Sequence, residues 1–219
     1  MLDRERFQVQ DQNSKKAVPA LEGRIREIRE TLRNLPPQRL AEFTGADYSE
    51  TEPGQGRFQL SMWDSEIIIS YPGFAAQSFH GDQLPSLVQA LLVYHFETAN
   101  GVPLSGSWVS FADLPGGRTY AQAFQGYSGE QIVKACGMNL DAFKHAGSKA
   151  GGHKVEMADA AYIFNGLPRV PLLMTYWLGE EEFPSTCKIL FDSTACNYLP
   201  IDACAILGSM LTQRVLRAF

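Results

Sequence analysis

Residues 169–191 read RVPLLMTYWLGEEEFPSTCKILF, and the reading of this stretch decides the fold class. Arg169 to Leu178 and Thr186 to Phe191 are short runs rich in β-branched and aromatic residues. They flank an acidic, turn-forming segment, Gly179 to Pro184. Short apolar runs around a turn read as a β-hairpin with an extended loop. The three carboxylates Glu180, Glu181 and Glu182 fall at its tip. Successive side chains point in different directions and no EF-hand spacing surrounds them, so they read as a solvated turn.

Outward from this hairpin, helices and strands are mixed without a βαβ rhythm. On the C-terminal side, Pro200 opens a helix of about eighteen residues whose apolar stripe is Ala203, Ile206, Leu207, Met210, Leu211 and Val215. Arg214 and Arg217 lie near its end, where the helix dipole favours cations. Before the hairpin comes a short apolar run, Ala160 to Phe164, after a break at Gly151-Gly152. Two short helices, Gly129 to Cys136 and Leu140 to Lys149, are separated by Gly137. A strand is expected at Ser107 to Ala112 and a helical turn at Tyr120 to Gln125. Leu84 to Ala99 reads as a helix with Leu84, Leu87, Val88, Leu91 and His95 on one stripe.

A second hairpin is expected nearer the N-terminus. Arg57 to Trp63 alternates Phe58, Leu60 and Met62 with polar neighbours, and Glu66 to Tyr71 follows after a turn at Asp64-Ser65. Asp47 to Gly56 reads as loop. Leu21, Ile25, Ile28 and Leu32 recur at helical spacing, and Pro36-Pro37 starts a short helix that Gly45 ends. The expectation is therefore an α+β protein, with mostly antiparallel sheet from hairpins packed against several helices. Residues 1–45 form a disordered start plus N-terminal helices, and residues 46–219 a single domain.

Composition narrows the function. The chain has 219 residues, 45% hydrophobic and 20% charged, with a formal net charge of -5, as for an ordinary globular protein. An acidic surface repels phosphate backbones, so no nucleic-acid partner is expected. The basic residues between Arg24 and Arg33 alternate with Glu27 and Glu30, as on a solvated helix face. No apolar run is long enough to span a membrane, and the first residues, MLDRERFQVQ, lack an apolar signal core. A cytoplasmic location is expected. Cys136, Cys187, Cys196 and Cys204 form no CxxC pair, so free thiols are expected and no metal. His80, His95, His145 and His153 show no HxxxH spacing, and His95 falls on an apolar helix face as a core histidine would.

Two segments gather candidate binding residues. WVSFADLPGGRTYAQAF, residues 108–124, combines Trp108, Phe111, Tyr120 and Phe124 with the corner Pro115-Gly116-Gly117-Arg118. Adjacent glycines leave backbone N–H groups free to take an anion, and Arg118 adds charge. The spacing is neither GxxxxGK[ST] nor GxGxxG, and a strand-to-helix turn with the aromatics filling the core is the stronger reading of the same residues. DSTACNYLP, residues 192–200, places Asp192, Ser193, Thr194, Asn197 and Tyr198 at the end of a strand, as a capped connection or as a pocket wall.

Together, W-x-x-F-x-x-L-P-G-G, L-P-x-V-P, F-P, and L-F-D followed by Y-L-P resemble the domain-of-unknown-function 3786 family, from about Leu84 to the C-terminus. The resemblance implies relatives mainly in anaerobic bacteria and archaea, some with an added iron–sulfur domain. This chain lacks the CxxC-rich segment such a domain needs, and the resemblance implies no catalytic residue or cofactor. Three functions compete. The first is non-enzymatic binding of a small aromatic or tetrapyrrole-like ligand or cofactor, in a pocket lined by the 108–124 aromatics and Tyr176-Trp177. The second is an enzyme in which Asp192, Tyr198, His95 and Arg118 converge. The third is an accessory module that binds a protein partner or a second copy through an exposed stripe on the N-terminal helix.

Overall fold

A computed structural model of the protein describes residues 22–180 and 183–219. The expected disordered start, Leu21, Glu181 and Glu182 lie outside the described residues. Helix α1 runs through residues 22–32 and α2 through Pro37–Thr44. An antiparallel meander follows: β1 (Asp47–Glu52), β2 (Gln55–Met62), β3 (Ser65–Tyr71) and β4 (Ala76–Ser78), hydrogen-bonded in that order. Helix α3 (Ser86–Thr98) leads to β5 (Trp108–Ser110), two 3-10 turns, and the helices α4 (Ala121–Tyr127), α5 (Gly129–Cys136) and α6 (Leu140–Lys149). Strands β6 (His153–Val155), β7 (Ala160–Leu167), β8 (Val170–Trp177) and β9 (Thr186–Asp192) complete a second sheet, ordered β5-β9-β8-β7-β6 and antiparallel throughout. Helix α7 (Ile201–Leu216) closes the chain. The class is α+β, with two antiparallel sheets.

The opening stretch forms β8, the central strand of the five-stranded sheet, and its neighbour β9. Leu172 to Tyr176 are all fully buried. Both faces of β8 are therefore covered, which is why its sequence is a continuous apolar run and not an alternating one. In β2 only one face is covered: Gly56, Phe58, Leu60 and Met62 are buried while their neighbours face outward. Each such large side chain adds about 1.5–3 kcal/mol by burial.

Several expectations need correction. Asp47 to Gly56 is not loop, because β1 and the start of β2 occupy it. The sequence DYSETE hides this edge strand because all its side chains are exposed except Tyr48, which packs on Phe58 with ring centroids 5.1 Å apart. Backbone pairing, not an apolar face, makes it a strand. The β2–β3 turn sits one residue earlier than expected, at Trp63-Asp64, with Met62 opposite Ser65. The run at Ala160 extends to Leu167 and pairs on both sides. On α3, Leu87 is 45% exposed, and the buried set is Ala90 to Val93 with His95 and Phe96. On α1, Ile25, Ile28 and Leu32 are buried in the chain's own core, so they present no exposed stripe to a partner. No helix among the described residues is long and apolar enough to cross a membrane.

Candidate functional site

The 108–124 segment fills its own space. Phe111 and Phe124 stack with centroids 4.4 Å apart, and Phe191 of β9 leans against both at 6.1 and 5.9 Å. All three are buried. Gly116 takes a left-handed conformation with φ 81°, which costs glycine nothing. A Cβ on Gly117 would collide with the Phe111 carbonyl. The corner is tight because the turn packs back on itself and on Ile201. Arg118 and Tyr120 project into solvent, and Trp108 is half-buried at the sheet edge opposite Asp192. Tyr176 is buried and Trp177 points to the other side of β8. The aromatic-lined pocket expected here is occupied by the protein's own rings.

Asp192 is likewise spent on architecture. It is 2% exposed. One oxygen accepts from the Ser105 N–H (3.2 Å), the Ser105 hydroxyl (2.9 Å), the Thr194 N–H (2.9 Å) and the Thr194 hydroxyl (2.6 Å); the other accepts from the Gly106 N–H (2.8 Å). Burial raises its pKa, but the hydrogen bonds from Thr194 and Ser105 outweigh that, and the carboxyl stays below its ordinary range. It pins the 102–107 loop to the end of β9.

Tyr198 is buried, and its hydroxyl donates to the Val102 carbonyl of the same loop. His95 is also fully buried. Its Nδ1 lies 3.3 Å from the Tyr198 carbonyl and its Nε2 3.2 Å from the Thr44 carbonyl. Burial pushes its pKa down to about 4 against those two carbonyl contacts, so the ring is neutral near pH 7. A neutral ring has one N–H and donates to only one of the two carbonyls. His95 and Tyr198 thus meet through a backbone carbonyl, Asp192 bonds to other groups, and Arg118 faces solvent. The converging enzyme constellation is not assembled.

The remaining histidines, His80, His145 and His153, are exposed. The four thiols are free. Among the described residues no group of three His, Cys, Asp or Glu side chains could hold a metal ion.

The open space lies elsewhere. A cavity of about 360 Å³ is lined by Trp63, Lys149, Ala150, Met210, Arg214, Arg217 and Ala218. Lys149 is the last residue of α6, and Arg214 and Arg217 stand at the end of α7. These helices end side by side: α6 packs on α7, and Arg214 Nε donates to the Ala150 carbonyl at 2.6 Å. Among the described residues none of the three cations forms an ion pair with a carboxylate. Asp64 stands nearby: its Oδ2 and Arg214 Nη2 are both 3.4 Å from the point where a Gly151 Cβ would sit.

Trp63 enters from the β2–β3 turn with φ 53°, followed by Asp64 at φ 60°. Paired positive φ marks a type I′ turn, which favours Asn-Gly. A bulky aromatic there is strained by about 1–2 kcal/mol. It is held in place by its N–H, which donates to Asn165 of the second sheet at 3.0 Å.

Other open cavities include two more. One, of about 390 Å³, lies between the sheets and carries Asp47, Asp64 and Glu66 beside Arg169. The other, about 720 Å³, separates α1 from the start of α3.

The cationic cavity carries no sequence motif, because its walls come from one hairpin turn and the ends of two helices, far apart in the chain and with no shared spacing. The available signal was that two helices end in basic residues while a tryptophan occupies a hairpin turn. No curated protein and no solved structure matches the chain. The model of the family described as domain of unknown function DUF3786 matches residues 36–214. That span includes both sheets, the sealed Phe111–Phe124 block and most of the cationic cavity, and the chain belongs to the DUF3786 family.

Proposed function

We propose that this domain is a non-enzymatic binding module for a small anionic aromatic molecule, held in the cavity between Trp63 and the ends of α6 and α7. The observation that carries this reading is the meeting of three cations, without a lining carboxylate, beside a strained indole. The chain as a whole is acidic, so the local charge is inverted and attracts anions. Lys149 supplies a point charge. The Arg214 and Arg217 guanidiniums offer forked donors to a phosphate or carboxylate. Trp63 gives the planar part of the ligand a face to stack on, and Met210 an adaptable apolar wall. The volume falls at the lower end of the roughly 300–1,000 Å³ range of small-molecule sites. This keeps the pairing of an aromatic with a basic group that the sequence suggested, on different residues.

Calorimetric titration with phenyl phosphate, phenol and inorganic phosphate tests it. Phenyl phosphate binds most tightly, inorganic phosphate more weakly and phenol not measurably. Affinity falls as salt rises from low to physiological strength. Equal binding of phenol and phenyl phosphate, or none of any probe at millimolar concentration, refutes the reading.

A further inference from the structure

The groove between α1 and α3 differs from the cationic cavity in size and in the character of its walls. Its volume is about 720 Å³; Ile25, Leu87 and Ala90 line it, and its charged walls are Arg26, Arg29 and Arg33 against Glu22 and Glu30. Leu87 is 45% exposed although it sits in an otherwise well-buried helix. The charges around the groove are unequal in their partners. Arg33 is paired with Glu30 at 2.9 Å, and Arg24 bridges to Glu97 of α3 at 2.9 Å. Arg29 and Arg26 form no ion pair with a carboxylate among the described residues.

Arg29 is the more constrained of the two. Its Nη2 donates to Gln89 Oε1 at 3.3 Å, and Gln89 Nε2 donates to the Leu84 carbonyl at 3.0 Å. The glutamine amide is thereby held with its oxygen toward the arginine. The Arg29 Nε is shielded from solvent and has no hydrogen-bond partner among the described residues. An unsatisfied, shielded donor on a charged group is costly unless something accepts from it. Burial also lowers the pKa of this guanidinium.

We propose that the α1–α3 groove binds an amphiphilic carboxylate, a medium-chain carboxylic acid, with its head group on Arg29 and its alkyl chain along Ile25, Leu87 and Ala90. Charge complementarity selects the head group: with Glu30 taken by Arg33, Arg26 and Arg29 outnumber Glu22 on the walls, and a carboxylate satisfies both the free Nε and the guanidinium charge of Arg29. The apolar walls select the tail. Helix α1 lies outside residues 36–214, the span the family model matches, and the groove shares no lining residue with the cationic cavity.

The test uses the full chain and isothermal titration with octanoate, decanoate, dodecanoate and dodecanol. Dodecanoate binds, and affinity rises roughly fourfold per added methylene when each is fully buried. Dodecanol binds at least tenfold more weakly. Arg29→Gln lowers dodecanoate affinity tenfold or more. Leu87→Glu, at an exposed position that folding does not depend on, does the same by placing a like charge beside the carboxylate. Both variants bind phenyl phosphate as the parent does, so a failure here is separable from a failure at the other cavity. Equal binding of dodecanol, insensitivity to both substitutions, or no dodecanoate binding because residues 1–21 or a second copy of the chain cover the groove, each overturns the proposal.

Discussion

The Phe111–Phe124–Phe191 block and the Trp63 cavity use similar materials and arrive at opposite results. Both join a tight turn, aromatic rings and the C-terminal helix. In the block, glycines let the chain close until Phe111 and Phe124 stack at 4.4 Å and no space is left. At the cavity, a tryptophan occupies turn geometry better suited to glycine or asparagine, and two helix ends leave three cations facing open space. Density of motif marks packing constraint, whereas unpaired charge and retained strain mark room for a ligand.

The strongest test of the contrast is Phe124→Ala. It empties the centre of the block and lowers unfolding free energy by about 3–5 kcal/mol, measured by urea denaturation. Under native conditions phenyl phosphate affinity changes less than twofold. A large loss of affinity at unchanged stability would place the ligand in the block after all.

Next in size is the pH dependence from His95, the buried histidine whose Nδ1 lies against the Tyr198 carbonyl of the 192–200 segment. Its folded pKa, about 4, lies below the ordinary 6.5. Between these values the unfolded chain binds a proton that the folded one does not. Stability is therefore full above about pH 6.5 and falls as pH drops toward 4, by roughly 3 kcal/mol in total. Asp192 contributes at lower pH, because its folded pKa is depressed and its stabilisation is lost only as pH falls through that value. Denaturation midpoints from pH 7 to 4 check the histidine window, and His95→Gln flattens the slope whatever its effect on absolute stability.

Smaller in energy but decisive for function are Lys149→Gln and Arg217→Gln. Both side chains are exposed, so thermal midpoints move little. Each weakens phenyl phosphate binding about tenfold, as expected for losing one charge-assisted contact. Smallest is Arg118→Ala. It removes the one cation of the Pro-Gly-Gly corner and shifts stability by under about 0.5 kcal/mol, with binding unchanged in the same titration.

Much of the fold was legible in the sequence. Period-two alternation in Phe58-Leu60-Met62 and the apolar run of β8 report directly on which faces are buried, and the spacing of Ala203, Leu207 and Leu211 reports the core face of α7. Strand β1 was hidden because an edge strand held by backbone pairing needs no apolar signal. The candidate site was poorly legible for a related reason. Asp192 and His95 attract notice as isolated polar residues, yet their partners, Ser105, Gly106 and Thr44, are brought to them only by the fold. Lys149, Arg214 and Arg217 read as ordinary helix-end cations, and they become neighbours only through the packing of α6 on α7 and the Arg214–Ala150 bond.

The chain contains three tryptophans, and they separate the two regions cleanly. Trp63 lines the cavity, Trp108 belongs to the 108–124 segment and Trp177 lies on the far side of β8. Indole N–H resonances, assigned with single Trp→Phe variants, are followed by ¹H–¹⁵N NMR while phenyl phosphate is added. The account predicts that the Trp63 signal moves in a saturable way while those of Trp108 and Trp177 stay in place. Movement of Trp108 with Trp63 unchanged contradicts it.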